Sequence, residues 1–382
     1  MLRWLIVRCL APLWGCLLAL SALPGAASAY ETTAEAAILI DLQTDQVLYE
    51  KNPDLRLEPA SMSKLMTALM VFERLKDGSL TLDDTLPVSK KAWRKGGSKM
   101  FVEVGKRVSV EDLLRGIIIQ SGNDACIVIA EAFAGSEEAF ARQMTERGRE
   151  LGLTNTTFMN ASGWPHPEHL MTVRDLARLA EILIEQYPEY YSYFAEREFV
   201  FSDIRQYSRN PLLGRFPGAD GLKTGYTDDA GYGVTASASR NGRRLIMVIA
   251  GLDAARQRAG EAERLLEYGF REFKNYRLFE AGQVIDSADI WLGEPGTVPL
   301  IVENEVHLSL TRAGRQKLEA KVVYDGPIPA PVQNGSTVAH LELSAPDFGA
   351  QRLPLVAGAE IEAVGLLGRV TSALGYLIWG AS

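Results

Sequence analysis

The chain has few cysteines and no excess of positive over negative charge, and each of these features excludes a class of protein. Of its three cysteines, Cys9 and Cys16 lie in an N-terminal leader, so that Cys126 remains alone. One cysteine cannot form an intramolecular disulfide, and the stability must therefore come from a packed core. With a formal net charge of −8, the chain lacks the overall positive electrostatic potential expected of a nucleic-acid-binding protein. We expect no nucleic-acid partner.

Histidine is equally scarce, with four in 382 residues. No Cys/His cluster has the spacing of a zinc site. His166 and His169 lie in a proline-rich loop and are interpreted as surface residues without further ligands. We therefore expect neither a metal nor a cofactor.

The first 29 residues have the pattern of an export signal. Arg3 and Arg8 precede an apolar stretch at residues 10–23, and residues 27–29 read Ala-Ser-Ala, a small-x-small cleavage site. The apolar stretch is short for a membrane span. Cleavage before Tyr30 is the favoured interpretation and an uncleaved anchor is the alternative. Export follows from either.

Apolar periodicity predicts an α+β domain over residues 30–275. Apolar residues at helical spacing predict helices at residues 61–75, 110–118, 125–134, 136–151, 173–185 and 261–268. Apolar-rich or alternating runs predict strands at residues 37–41, 46–50, 199–201, 231–239 and 244–251. Strands at both ends of a helical middle favour an antiparallel sheet.

Two further segments follow this domain. Residues 276–357 alternate apolar and polar residues between turn signals, which predicts a small all-β domain that serves as a spacer or partner surface. Residues 358–382 predict an amphipathic helix with Tyr376 and Trp379, residue types favoured at a membrane interface. Because the segment is short for a span and contains Arg369 on its polar face, interfacial binding fits better than a span. The alternative is a helix docked on its own protein.

Three short motifs carry the chemistry: Ser61-x-x-Lys64, Ser121-Gly122-Asn123 and Lys223-Thr224-Gly225. A serine is a poor nucleophile at neutral pH, and a neutral amine beside it can take its proton. Ser-x-Asn recurs at residues 208–210 and 239–241, whereas Lys-Thr-Gly occurs once. The ordered set is specific, because the first motif opens a predicted helix, the second is a turn between helices, and the third precedes a predicted strand.

With these motifs, the chain resembles the penicillin-binding proteins and class A β-lactamases. Residues 120–125, 220–227 and 230–232 are most similar to the low-molecular-mass D-alanyl-D-alanine carboxypeptidases. The resemblance extends from about residue 34 to the C-terminus. It implies a β-lactamase/transpeptidase-like catalytic domain, which is an antiparallel sheet with a helical cluster, followed by a small β-sandwich-like domain and a membrane-anchor helix.

The resemblance also implies catalytic roles. Ser61 would attack the carbonyl between two D-alanines, and Lys64 would take its proton while Lys223 supplies a second cation that favours a neutral Lys64. Ser121 would relay a proton to the departing amine, and Asn123 would orient the substrate amide and Lys64. The backbone N–H groups of Ser61 and Tyr226 would form the oxyanion hole.

The substrate-binding residues implied by the resemblance are Lys223, Thr224, Gly225, Tyr226, Arg258 and Arg209. Lys223 and Thr224 are suited to the terminal carboxylate, and the two arginines match site-proximal arginines by position. The alternative for each arginine is a solvated surface charge. Tyr226 stands where close relatives often have histidine. Cys126 is interpreted as a small buried residue in preference to a nucleophile.

The resulting hypothesis is removal of the terminal D-alanine from peptidoglycan stem pentapeptides, with β-lactams as acylating inhibitors. The protein would be periplasmic and attached peripherally to the outer face of the cytoplasmic membrane. A serine β-lactamase is disfavoured, because residues 154–160 lack the acidic residue that class A enzymes use. A DD-endopeptidase stays open, as does the group that activates the deacylating water. A non-catalytic peptidoglycan-binding module would not need Ser61 beside Lys64.

Overall fold

The computed structural model describes residues 30–346 and 348–365. The predicted leader and most of the predicted amphipathic helix lie outside these residues. The beginning of the latter segment is not helical: residues 362–363 form a short strand, and Val332 and Ile361 form a β-bridge. These pairings keep the chain within the β-domain up to that point.

The first part of the chain alternates strands and helices. In chain order its strands are β1 (Ala36–Asp41), β2 (Gln46–Lys51), β3 (Thr85–Pro87), β4 (Arg107–Ser109), β5 (Glu198–Phe201), β6 (Ile204–Tyr207), β7 (Ala219–Thr227), β8 (Gly231–Arg240) and β9 (Arg243–Leu252). Its helices are α1 (Lys64–Lys76), α2 (Lys90–Arg94), α3 (Val110–Ile118), α4 (Asn123–Ala134), α5 (Glu137–Glu150), α6 (Val173–Gln186), α7 (Pro188–Tyr191) and α8 (Ala255–Glu272). The predicted α+β antiparallel class is confirmed.

The central sheet is antiparallel with strand order β2-β1-β9-β8-β7. Its inner strands are apolar on both faces, because both faces are covered. Ile38 belongs to the core shared with the helical cluster, whereas Leu39 contacts α8 at Gly269. A Cβ at Gly269 would lie 2.7 Å from both Leu39 and Leu245, so the glycine lets α8 pack closely on the sheet. Strand β7 occupies one edge.

Helix α1 lies inside the helical cluster. Leu65, Met66, Leu69 and Phe72 are fully buried, and the Phe72 ring stacks on Tyr190 at 5.2 Å between centroids. A helix that is apolar on all sides is stable only when it is enclosed. The core therefore fixes the position of the residues at the beginning of α1.

The second part is an all-β domain that begins where α8 ends. Its strands are β10 (Phe273–Phe279), β11 (Val284–Trp291), β12 (Gly293–Glu294), β13 (Thr297–Ile301), β14 (Val306–Thr311), β15 (Glu319–Val323), β16 (Ile328–Pro329), β17 (Thr337–Ala345), β18 (Gly349–Ala357) and β19 (Glu362–Ala363), with one short helix, α9 (Arg312–Gln316). The largest sheet has the order β15-β17-β18-β13-β11-β16. A separate apolar core includes Leu300, Leu310 and Leu341.

Buried polar contacts join the two parts. The fully buried Asp41 accepts from Arg243 Nε at 2.6 Å, from Ser309 Oγ at 3.0 Å and from Asn275 Nδ2 at 3.3 Å. Ser309 and Asn275 belong to the β-domain, and Asp41 ends β1. A buried carboxylate is stable only with such partners, so this contact specifies how the β-domain meets the sheet.

Among residues 30–346 and 348–365, no helix is both long enough and apolar enough to cross a membrane.

Candidate active site

Ser61 lies on a 3-10 turn, Ala60–Ser63, that leads directly into α1. The sequence placed Ser61 at the first turn of the helix itself; the α-helix instead begins at Lys64. Ala60 has φ of 48°, a left-handed conformation that is costly for a residue with a Cβ. This backbone is held by its neighbours and leaves Ser61 partly exposed while Lys64 is buried.

Two glycines allow neighbouring segments to contact the Ser61 turn. A Cβ at Gly163 would lie 1.8 Å from the Ala60 carbonyl oxygen, and one at Gly225 would lie 2.8 Å from the Pro59 carbonyl oxygen. No side chain fits at either distance. The loop at residue 163 and strand β7 therefore approach the nucleophile closely because both positions lack a side chain.

The Lys64 ammonium makes three short contacts. Its Nζ lies 2.9 Å from Ser61 Oγ, 2.8 Å from Asn123 Oδ1 and 2.5 Å from the Ser162 carbonyl oxygen. A neutral amine has two N–H groups and one lone pair. Because the amide and carbonyl oxygens accept both N–H groups, the lone pair of neutral Lys64 faces the Ser61 hydroxyl.

The pKa of Lys64 is lowered to about 8, mainly by burial and to a lesser extent by the nearby cations Arg209 and Lys95. The sequence assigned this effect to Lys223. Burial is the largest cause of the lowered Lys64 pKa, and the expected repulsion between the Lys64 and Lys223 ammonium groups contributes to the lowered pKa of Lys223. The pKa of Lys223 is lowered well below its usual value, again mainly by burial.

The second motif lies between α3 and α4, as predicted, with Asn123 as the first residue of α4. Ser121 has φ of 65°, and its buried Oγ has no hydrogen-bond partner in the described part of the chain. Asn123 bridges two elements, since its Oδ1 contacts Lys64 and its Nδ2 donates to the Gly96 carbonyl at 3.0 Å. A strained serine with a free hydroxyl is typical of a site that awaits a ligand.

The third motif precedes strand β8, as expected, and itself lies within strand β7, which the sequence did not predict. Lys223 and Thr224 are buried against the Ser61 turn, and Tyr226 is 48% exposed. Because β7 is an edge strand, a row of its backbone groups is unpaired by any other strand of the central sheet. An extended peptide can add to such an edge.

The outer residues of the predicted site lie around β7. Tyr226 stacks on Tyr232 with ring centroids 4.1 Å apart, and the Arg258 guanidinium lies 5.6 Å from the Tyr232 ring. Arg258 Nη1 also lies 3.5 Å from the Gly225 carbonyl oxygen. Arg209 donates to Ser98 Oγ at 2.5 Å. Both arginines add positive potential at Lys223.

Two contributors to the site were not found from the sequence. Asp124 is fully buried and accepts from the backbone N–H groups of Met100 and Phe101 at 2.9 Å each, which ties that loop to α4. The Ser162 carbonyl holds Lys64. An acidic residue next to Asn123 at a helix start was a signal for the first, but a backbone carbonyl has no signature in the sequence.

His169 is buried, which corrects its interpretation as a surface residue. Its Nδ1 accepts from the Met159 N–H at 3.2 Å, its ring packs edge-on against Phe158, and burial lowers its pKa to about 3. Cys126 is fully buried as predicted, and burial raises the pKa of its thiol to about 12. Such a thiol is not a nucleophile.

Within the described ranges, no group of three or more His, Cys, Asp or Glu side chains is placed to hold a metal ion. The arrangement of a serine, a buried amine and an unpartnered second hydroxyl is that of a serine hydrolase working through an acyl-enzyme. The family profile described as D-alanyl-D-alanine carboxypeptidase matches residues 24–254, and that of the penicillin-binding protein 5 C-terminal domain matches residues 273–363. The chain belongs to the D-alanyl-D-alanine carboxypeptidase family of serine peptidases.

Similar proteins share both domains. D-alanyl-D-alanine carboxypeptidase DacC of Escherichia coli is 38% identical over 345 residues, covering 88% of this chain and 86% of the relative. DacF of Bacillus subtilis is 32% identical over 345 residues, covering 87% of each. The crystal structure of penicillin-binding protein 5 from Haemophilus influenzae superposes with a TM-score of 0.78 at 30% identity, covering 88% of this chain and 100% of that one. The predicted penicillin-binding protein fold with a C-terminal all-β domain is confirmed.

Proposed function

We propose that the protein removes the terminal D-alanine from peptidoglycan stem pentapeptides through an acyl-enzyme on Ser61. The observation that carries this proposal is the contact set of Lys64. Its two N–H groups have fixed acceptors on Asn123 and Ser162, and its third direction is occupied by Ser61 Oγ. That geometry gives the amine one proton to take, which is the proton of the nucleophile.

Acylation would begin as Ser61 Oγ attacks the carbonyl carbon between the two D-alanines. The hydroxyl proton passes to Lys64 Nζ, and the carbonyl oxygen becomes negatively charged. The N–H groups of Ser61 and Tyr226 are proposed as its donors. Losing one such donor typically costs about 3 kcal/mol of transition-state stabilisation.

The leaving group requires a proton before the C–N bond breaks. Ser121 is suited to deliver it, because its hydroxyl is buried at the site and has no partner among the described residues. The proton lost by Ser61 would return through Lys64 and Ser121 to the D-alanine nitrogen. Water would then attack the ester and release the shortened peptide, regenerating the Ser61 hydroxyl.

The free carboxylate of the substrate would be bound by cationic side chains on one side of Ser61. Lys223 and Thr224 on β7 and Arg258 on α8 are proposed to bind it, with Arg209 contributing long-range attraction. Gly225 and Tyr226 would supply edge-strand backbone groups for the peptide. Because the chain as a whole is acidic, an anionic substrate would be attracted to this local group of cations and not to the surface in general.

The first experiment supplies the purified protein with a pentapeptide and with a cross-linked muropeptide. We expect D-alanine release from the pentapeptide and little cleavage of the cross-link. Faster cleavage of the cross-link would favour the endopeptidase alternative. That alternative has support from a D-alanyl-D-alanine endopeptidase of Pseudomonas aeruginosa, 31% identical over 232 residues. The match covers 59% of this chain, whereas the carboxypeptidases extend through the β-domain.

β-Lactams are proposed as acylating inhibitors, with Ser61 as the acylated residue. Support comes from penicillin-binding protein D2 of Listeria monocytogenes, solved in an ampicillin-bound form, which is 32% identical with a TM-score of 0.58 over 63% of this chain and 98% of that one. Rapid turnover of penicillin without D-alanine release would instead indicate a β-lactamase.

We also propose export through cleavage of residues 1–29 and peripheral attachment at the outer face of the cytoplasmic membrane through residues 358–382. Support comes from the leader pattern and from the interfacial residue types in the last segment. Deleting residues 366–382 should release the protein from membranes with full D-alanine release. A truncated protein that still sediments with membranes would contradict the attachment.

A further inference from the structure

A single peptide unit next to the catalytic base has both of its polar groups bound by side chains. The carbonyl of Ala161 accepts from Thr67 Oγ1 at 2.7 Å. The N–H of the following residue, Ser162, donates to Asn160 Oδ1 at 3.1 Å. Ala161, Ser162 and Thr67 are fully buried. Neither Thr67 nor Asn160 has a part in the chemistry described so far.

The carbonyl that follows this peptide unit is the one that holds the base. The Ser162 carbonyl oxygen lies 2.5 Å from Lys64 Nζ. Consecutive carbonyls along a chain are joined through only two soft dihedral angles, so the plane of one peptide unit restricts the direction of the next carbonyl. The contacts of Thr67 and Asn160 therefore restrict the direction in which the Ser162 carbonyl points.

Helix α1 carries both the base and the hydroxyl. Thr67 follows Lys64 by three residues, so the two side chains lie on the same face of the helix. A threonine within a helix often donates to a carbonyl one turn earlier in its own helix. The Thr67 hydroxyl instead donates to a loop 94 residues further along the chain. The same helix face thus binds two consecutive carbonyls of that loop.

The loop is also fixed on either side of this peptide unit. The Ala161 N–H donates to Glu137 Oε1 at 3.4 Å. On the other side, Gly163 is so close to the turn that carries the nucleophile that a Cβ would lie 1.8 Å from the Ala60 carbonyl oxygen. A change in the peptide unit therefore passes to the Ser162 carbonyl, because the loop beyond it has no room to adjust.

We propose that Thr67 and Asn160 are positioning residues for the reaction. By fixing the peptide unit between residues 161 and 162, they hold the Ser162 carbonyl against the Lys64 amine. With that N–H group engaged, the lone pair of the neutral amine faces the Ser61 hydroxyl. This inference rests on the proposed function, since it needs Lys64 to be the base. It assigns the orientation of the base to two side chains outside the three motifs.

The test is single-turnover acylation by a β-lactam, followed by stopped flow from pH 5 to 10. Thr67→Val keeps the size and shape of the side chain and removes the hydroxyl. A misplacement of about 1 Å can cost about 10²-fold in rate, so loss of one of the two contacts should lower the acylation rate constant at high pH about tenfold. For the pentapeptide, kcat should fall while KM stays unchanged, because the peptide-binding residues are intact.

The pH profile supplies a readout that a purely structural role would not change. A hydrogen bond from the ammonium to a carbonyl favours the charged form of the amine. When the Ser162 carbonyl turns away, the pKa of Lys64 should fall below about 8, and the midpoint of the profile should move to lower pH. The variant leaves in place the charged and titratable groups around Lys64, which are Lys95, Asp124, Cys126, His169, Arg209 and Lys223.

Three further variants make the test specific. Thr67→Ser keeps the hydroxyl and should restore both the rate constant and the midpoint. Asn160→Ala removes the other contact of the peptide unit from a partly exposed position, and it should shift both quantities in the same direction as Thr67→Val. Thr156→Val is the matched control and should change neither quantity, because its buried hydroxyl donates to Asp175 at 2.6 Å.

The outcomes separate a misplaced base from a folding defect. The amplitude of acylation reports how much enzyme is folded, whereas the rate constant reports the reactivity of each folded molecule. An unchanged midpoint in Thr67→Val, with or without a lower rate constant, would overturn the positioning role, and so would equal shifts in Thr156→Val. If Thr67→Val does not fold, Asn160→Ala decides by the same two quantities. An unmodified protein that neither reacts with β-lactams nor releases D-alanine would contradict the proposed function itself.

Discussion

At the level of single residues, proton transfer from Ser61 depends on the protonation state of Lys64. The side chain is 1% exposed, and burial lowers its pKa to about 8. An amine with this pKa is neutral in a useful fraction of molecules near neutral pH, which an exposed lysine is not. We propose that Lys64 is the base, made available because burial removes water from its amine and because its N–H groups have fixed acceptors.

The pH dependence of Ser61 acylation should follow from this pKa. Below pH about 8, protonated Lys64 cannot take the serine proton, so the acylation rate should rise about tenfold per pH unit and level off above the pKa. Stopped-flow measurement of β-lactam acylation between pH 5 and 10 would test it. A rate that falls as pH rises through this range would contradict a neutral-amine base.

Ser121 should be needed for the proton transfer to the leaving group. Ser121→Ala removes a hydroxyl that has no partner in the described chain, so folding should change little while kcat for D-alanine release falls by about 10²–10⁴-fold. Ser239→Ala, in the Ser-x-Asn sequence at residues 239–241, is the control and should retain full activity. Equal losses in both variants, or none in Ser121→Ala, would refute the role.

At the scale of elements, the site is formed where β7 and the 163 loop approach the Ser61 turn. Helix α1 was predictable because Met62, Leu65, Leu69 and Phe72 recur at helical spacing. Strand β7 was not predicted, since Gly221, Lys223 and Gly225 interrupt any apolar alternation.

Contacts between residues far apart in the chain could not be predicted from local sequence patterns either. Asn123 and Lys64 are 59 residues apart in sequence, and the resemblance to a family, not periodicity, suggested that they meet. His169 is buried because it packs against Phe158 and the surrounding loop. The proline-rich composition of that loop had instead predicted an exposed histidine. Tertiary packing decides such cases.

Gly225 should be essential to the approach of β7. A Cβ there would lie 2.8 Å from the Pro59 carbonyl oxygen and 3.1 Å from Ala60 Cβ, so Gly225→Ala should move the strand from the nucleophile. A shift of about 1 Å can cost about 10²-fold in rate. Gly260→Ala in α8, where nothing lies within 4 Å, should keep full activity and gain stability. Full acylation of Gly225→Ala would be the contrary result.

At the scale of the whole molecule, the catalytic and β-domains meet through a buried carboxylate. Asp41 is fully buried and contacts Arg243 from the sheet and Ser309 from the β-domain. Sequence alternation indicated the β-domain but not this contact, because its members are more than 200 residues apart in the chain. The cost of leaving the buried Asp41 carboxylate without its hydrogen-bond donors makes this contact between the two domains specific.

Asp41→Ala should destabilise the protein by about 3 kcal/mol in urea unfolding, because it leaves the largely buried Arg243 guanidinium without its carboxylate partner. The folded fraction should keep its kcat, since Asp41 does not contact the site residues. Asp54→Ala, which breaks an exposed pair with Arg174, is the control and should cost less than about 1 kcal/mol. Similar stability losses in the two variants would contradict the stabilising role proposed for the Asp41 contact between the domains.

Peptide mapping by mass spectrometry would identify the residue that carries the acyl group, which we propose to be Ser61 with Lys64 as its base. The protein would be quenched during turnover of a D-Ala-D-Ala peptide and separately after penicillin treatment. We expect one added acyl mass, on the fragment that contains Ser61, and no adduct or D-alanine release in Ser61→Ala. An adduct on another residue, or D-alanine release that survives Ser61→Ala, would contradict it.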